Sequence, residues 1–120
     1  MKYFLDTYAI IEIIRGNPNY KEFFDAEIVT LKVNLAELAY HFLVSGDEKA
    51  MIEYSEKYSI IAKDIPFDII VDAVKLKHAH KKSNLSYIDC LGYTYAKKNN
   101  CVFLTGDKEF EKTENVRFVK

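Results

Sequence analysis

Short apolar runs alternate along this chain with longer amphipathic stretches, the rhythm of strands joined by helical crossovers. Strands are predicted at Lys2 to Leu5, Ile28 to Val33, weakly at Ile60 to Ala62, at Val102 to Leu104 and at Val116 to Val119. Between them, Asp6 or Thr7 can cap a helix through Arg15 that Gly16 stops, and Asn17-Pro18 opens a short helix through Phe24. Asn34 stands where an N-cap belongs for a helix reaching Ser45 and closed by Gly46. Two further helices are predicted over 47–57 and 66–82. The second places Ile69, Ile70, Ala73, Val74 and Lys77 at helical spacing and turns its lysines outward. Ser86 caps a last helix to about Asn99, with Ile88, Leu91, Gly92 and Tyr95 on one face. The fold class is α/β: one domain over residues 1–120, with a central, mainly parallel sheet of four to five strands flanked by helices.

Composition sharpens that picture. At 120 residues, 49% apolar and 29% charged, the chain is long enough to bury roughly two thirds of its unfolded surface, and disordered or fibrous classes are excluded. The longest stretch without a charged residue, Leu38 to Gly46, has nine residues, against roughly 20 for a membrane-spanning helix. An acid at Asp6 comes before any signal-peptide core could form. A cytoplasmic protein is expected, and Cys90 and Cys101, eleven positions apart, read as reduced thiols used in packing.

The net charge of −1 argues against nucleic-acid binding by bulk positive charge. Charge is uneven, however. Lys75 to Lys98 holds six lysines against Asp89 alone, which makes Lys75, Lys81 and Lys82 candidates for phosphate contact. Lys97 and Lys98 close the last helix and favour its dipole instead.

In a parallel sheet the loops after the strands share one edge, and ligand chemistry collects there. Asp6 follows the first strand. Glu37 is expected in the first turn of the helix after the second strand, Asp89 in the first turn of its helix, and Asp107 two residues beyond Thr105. Each acid alone also fits a capping or turn role, Glu37 three after Asn34 and Asp89 three after Ser86. Together they would repel by roughly 4 kcal/mol per pair at about 4 Å, so a cation is needed to offset them. Hard oxygen donors without cysteine favour Mg²⁺ or Mn²⁺, ions that can activate a water for in-line phosphodiester displacement. His41, four after Glu37, shares its helical face; His78 and His80 point to different sides of theirs.

The start Y-F-L-D-T (3–7), the helix N-L-A-E-L-A-Y (34–40) and the stretch S-Y-I-D-C-L-G-Y-T-Y-A-K-K-N-N-C-V-F-L-T-G-D-K-E-F (86–110) resemble a PIN-domain ribonuclease, especially the compact VapC-type toxins of toxin–antitoxin pairs. The resemblance runs in order over essentially the whole chain. It implies an acidic cluster at Asp6, Glu37, Asp89 and Asp107 that binds metal and catalyses, with Thr105 in support. It further implies Mg²⁺ or Mn²⁺-dependent cleavage of RNA, a small antitoxin as partner, and a homodimer. Tyr8 departs from the small polar residue, commonly Asn, that the family often has after D-T. A non-catalytic PIN-like module that binds RNA or protein is the alternative. A receiver-like phosphoacceptor is disfavoured, because one acid rather than two follows the first strand and no Asp ends a central strand at mid-chain.

Overall fold

A computed structural model describes residues 1–120. Five strands, β1 (Lys2–Leu5), β2 (Glu27–Leu31), β3 (Ala62–Lys63), β4 (Val102–Thr105) and β5 (Val116–Phe118), form one sheet in the order β3-β2-β1-β4-β5. Every pairing is parallel. The chain builds outward from β1 to one side and then returns to build the other. Strand order therefore reverses between β1 and β4, where the loops part and open a crevice. This order differs from the 2-1-3-4-5 of receiver domains, which removes the phosphoacceptor reading.

The helices are α1 (Thr7–Ile14), α2 (Lys32–Val44), α3 (Glu48–Ser59), α4 (Phe67–Ala79) and α5 (Tyr87–Lys98), with 3-10 turns at Pro18–Phe23 and Lys108–Phe110. Because strand side chains alternate in direction, neighbouring residues serve opposite cores. Phe4 and Phe103 join Val29, Tyr93, Ala96 and Phe110 on one face. Leu5 and Leu104 join Ala9, Ile10, Tyr20, Leu38 and Tyr58 on the other. Covering both faces is what an all-parallel sheet requires. Gly92 lets α5 lie close to the sheet: a Cβ there would stand 2.8 Å from Phe4 Cε1.

Several boundaries move from their predicted positions. Residues predicted to extend β2 to Val33 instead begin α2 at Lys32, so Asn34 is not a cap. The N-cap is Leu31, which makes no side-chain cap hydrogen bond. Asn34 is buried inside the helix, and Glu37 consequently lies in its second turn rather than its first. The third strand is Ala62–Lys63 rather than 60–62, and α4 ends at Ala79 rather than 82. On α4 the predicted stripe is only half covered: Ile69 and Ala73 are buried, whereas Ile70 and Val74 are exposed. Lys77 does not face outward. It is half-buried, and its ammonium donates to the Leu85 carbonyl at 2.8 Å.

Candidate active site

Each of the four acids is positioned by a local device. Asp6 leaves β1 in extended backbone and N-caps α1, accepting from the Ala9 N–H at 2.8 Å through Oδ1. Its Oδ2 accepts from the hydroxyl of Thr105, the last residue of the neighbouring β4. Thr105 Oγ1 in turn accepts from the Asp107 N–H at 3.0 Å. This short chain of bonds ties the two central strand ends together across the crevice. Asp107 caps the 3-10 turn that follows, accepting from the Glu109 N–H at 3.0 Å. Asp89 closes a capping box with Ser86, taking the Ser86 N–H at 2.9 Å while its own N–H donates to Ser86 Oγ at 3.0 Å.

Glu37 is held differently. The Thr7 hydroxyl donates to its Oε1 at 2.5 Å, and Asn34 Nδ2 donates to that same hydroxyl at 3.1 Å. Asn34 Oδ1 is left buried without a partner. The Asn34-x-x-Glu37 spacing thus reflects a relay from α2 through Thr7 to Glu37, not a capping box.

The four carboxylates line one open cleft of about 590 Å³ at the carboxyl ends of the strands, with Thr7, Tyr8, Tyr40, His41, Gly106, Lys108 and Lys120. Thr105 is fully buried beneath it. Lys75, Lys81 and Lys82 are exposed on α4 and the turn after it and do not line the cleft. Of the additional lining residues, His41 and Tyr40 follow Glu37 at helical spacing, and Thr7, Tyr8 and Lys108 neighbour the acids directly, so local sequence signals existed. Lys120 has no such signal, since only the pairing of β5 beside β4 brings it there.

Burial, with lesser repulsion among the acids, raises three of the four carboxyls. Burial pushes the Asp6 carboxyl up to about 7; nearby Asp89 and Asp107 add to the rise, while the Thr105 hydroxyl and Ala9 N–H oppose it. Burial likewise raises Glu37, against its bond from Thr7, and raises Asp89, against its bonds to Ser86 and the nearby Lys77 ammonium. An all-oxygen donor set suits a hard divalent cation, and a cation would relieve the repulsion. The fit is one of donor chemistry: no three Asp, Glu, His or Cys side chains stand close enough to hold an ion between them as they lie.

Comparison with known proteins finds the same fold over nearly the whole chain. The family model of the PIN domain matches residues 3–116. No curated protein sequence matches significantly. Among solved structures, the Mycobacterium tuberculosis toxin VapC20, described as cleaving the sarcin–ricin loop, is similar with a TM-score of 0.77 at 15% identity, covering 98% of this chain and 96% of its own. The DNA-bound VapBC of Salmonella typhimurium is similar with a TM-score of 0.77 at 20% identity, covering 99% and 97%. VapBC2 of Rickettsia felis, bound to a fragment of its promoter, is similar with a TM-score of 0.75 at 18% identity, covering 99% and 98%.

Proposed function

Because the chain belongs to the PIN-domain family, we propose that it is a Mg²⁺ or Mn²⁺-dependent endoribonuclease and the toxin of a toxin–antitoxin pair. The observation that carries this reading is the convergence of Asp6, Glu37, Asp89 and Asp107 on one cleft at the strand-order reversal. Their roles as metal ligands and catalytic groups, with Thr105 in support, are part of the proposal.

A divalent cation, when bound, supplies the charge that acidifies an attacking water and stabilises the leaving oxygen of a phosphodiester. The chain's own residues do the rest. Ala9 and Thr105 fix both oxygens of Asp6 before any ligand arrives, so little ordering remains at the moment of reaction. Thr7 and Asn34 aim Glu37, and hydrogen bonds of this kind behind a ligand typically change metal affinity by about 10 to 100-fold. The Ser86 N–H occupies one Asp89 oxygen in the capping box, and the other oxygen accepts no protein hydrogen bond. Burial of Asp6 limits the screening of its own charge by bulk water.

The antitoxin is proposed from the fold's likeness to toxins solved with their partners. The homodimer is proposed from the family resemblance, and the cytoplasm as the place where RNA would be met. No helix is long and apolar enough to cross a membrane. Apolar surface for such partners is available at Phe67, Ile70, Val71 and Val74 of α4, and in a groove of about 540 Å³ lined by Ile13, Ile14, Phe24 and Tyr54.

A second reading is a PIN-like module that binds without cutting, and the feature that favours it is Tyr8, which stands beside Asp6 where the resembling family often has a small polar residue. One experiment separates the two. Purified protein should cleave total cellular RNA with Mg²⁺ or Mn²⁺, stop in EDTA, and lose cleavage by at least 100-fold on Asp89→Asn with its fold intact. Cleavage that persists in EDTA sinks the mechanism, and RNA binding without any cleavage establishes the module.

A further inference from the structure

The cleft holds more than carboxylates. Tyr8, Tyr40, Lys108 and Lys120 line it with the acids, and none of these is a ligand for a hard cation. Tyr8 is the second residue of α1, and its ring is constrained by two neighbours. It lies against the main chain at Gly106, where a Cβ would stand 2.1 Å from Tyr8 Cε1 and 2.5 Å from the Val119 carbonyl oxygen. The backbone at 106 does not have the positive φ that demands glycine; the tyrosine ring and that carbonyl do. The second neighbour is Lys120, whose Nζ sits 5.5 Å from the ring centroid. Its main chain is anchored where the Asn19 side-chain amide donates to the Lys120 carbonyl at 3.1 Å. Tyr8 is therefore a ring set in place beside Asp6 and paired with a cation, with part of its surface still open to the cleft.

We propose that Tyr8 and Lys120 form a nucleotide-binding wall of the acidic cleft, Tyr8 stacking on an unpaired base of an RNA strand and the Lys120 ammonium meeting its phosphate. The substrate class rests on the ribonuclease reading; the wall itself rests on the contacts just described. Aromatic rings accept any base, because every base has a π-face, and they do so only when the base is not stacked in a duplex. A cleft of about 590 Å³ lies within the range of small-ligand sites and far exceeds what one ion needs. The lysine that covers the ring in the free protein is the group that would move to the phosphate when a base takes its place. Tyr8, where the resembling family commonly carries a small polar residue, is thus assigned to strand positioning rather than to support of Asp6.

The test measures binding apart from chemistry. Protein carrying Asp89→Asn, in Mg²⁺, is titrated against a 5′-fluorescein-labelled ten-nucleotide oligouridylate by fluorescence anisotropy, alone and annealed to its complement. Adding Tyr8→Leu, which keeps an apolar body against Gly106 but no π-face, should weaken single-strand binding about 10-fold or more. Tyr8→Phe should stay within about twofold, and the duplex should bind at least 10-fold more weakly than the single strand. Circular dichroism establishes that each variant is folded, and the phenylalanine variant keeps the test decisive if leucine does not fold. Equal affinity for Tyr8→Leu, equal loss in Tyr8→Phe, equal affinity for the duplex, or no binding by the Asp89→Asn parent would each overturn the proposal. Cleavage by the wild type with those results would leave the nuclease reading standing. The expected binding pattern without wild-type cleavage would instead overturn the nuclease reading alone.

Discussion

Asp6 offers a perturbation whose sign is opposite to the usual expectation for removing a buried, hydrogen-bonded carboxylate. It is 5% exposed, and its carboxyl is pushed up to about 7 in the metal-free fold from 3.8. The raised value already includes the help of Thr105 and Ala9, so it measures what burial and the neighbouring acids leave uncompensated. The folded state prefers the protonated form. Its contribution to stability is therefore fully present below pH 3.8 and is lost as pH rises through about 7. A rise of this size makes ionisation in the fold about a thousandfold harder, which at pH 8 amounts to about 4 kcal/mol. Asn in this position has no charge to bury and keeps an oxygen for the Ala9 N–H. Asp6→Asn should therefore stabilise the metal-free protein by about 2–4 kcal/mol at pH 8 and by almost nothing near pH 4. Urea denaturation in EDTA, followed by circular dichroism from pH 4 to 8, reads the difference directly. Because both proteins share their other titrating groups, subtracting one curve from the other isolates Asp6 and the acids coupled to it. Destabilisation by the substitution at pH 8, or a difference that does not change with pH, would refute the claim that burial, with the neighbouring acids, disfavours the ionised Asp6 carboxyl.

Thr7→Val breaks the bond to Glu37 and deprives buried Asn34 of its acceptor. A loss of about 1–3 kcal/mol is expected by urea denaturation, together with weaker Mn²⁺ binding; Thr7→Ser should restore both. The exposed Lys81 and Lys82 lie outside the cleft, so a role in holding RNA would be through phosphate alone. Alanine at both should lower affinity for all single strands alike and reduce the slope of log K against log salt by about 0.7 for each phosphate no longer neutralised, while unchanged slope in anisotropy titrations would show that they touch none.

How far the residues alone led depended on whether their signals were local. The strand ends and the capping box at Ser86 and Asp89 were legible because a cap is written within four residues, and the box formed as expected. The same logic failed at Asn34. An Asn three before a Glu has the form of a cap whether or not the helix starts there, and here α2 starts three residues earlier than that cap implies, with Leu31 as N-cap. Burial within the helix then turned the Asn34 amide toward Thr7, a contact between residues 27 apart. The four acids were readable as a group because parallel topology brings strand ends to one edge. Lys120 and the fit of Tyr8 against Gly106 were not, since both depend on how β5 and its flanking residues lie beside β4. The lysine-rich segment was legible as charge but not as position: of its members, Lys77 turned inward to Leu85, and Lys98 pairs with Asp72 on α4.

The role proposed for Asp6, Glu37, Asp89 and Asp107 is to act together as a metal site. Isothermal titration of Mn²⁺ into the protein near pH 6.5, repeated in buffers of different ionisation enthalpy, tests it most directly. Saturable binding with release of up to one proton is expected, because Asp6 is largely protonated at that pH and must lose its proton to bind an ion. Asp6→Asn should weaken the binding and abolish the proton release. No saturable binding, or binding that is indifferent to Asp6→Asn, would contradict it.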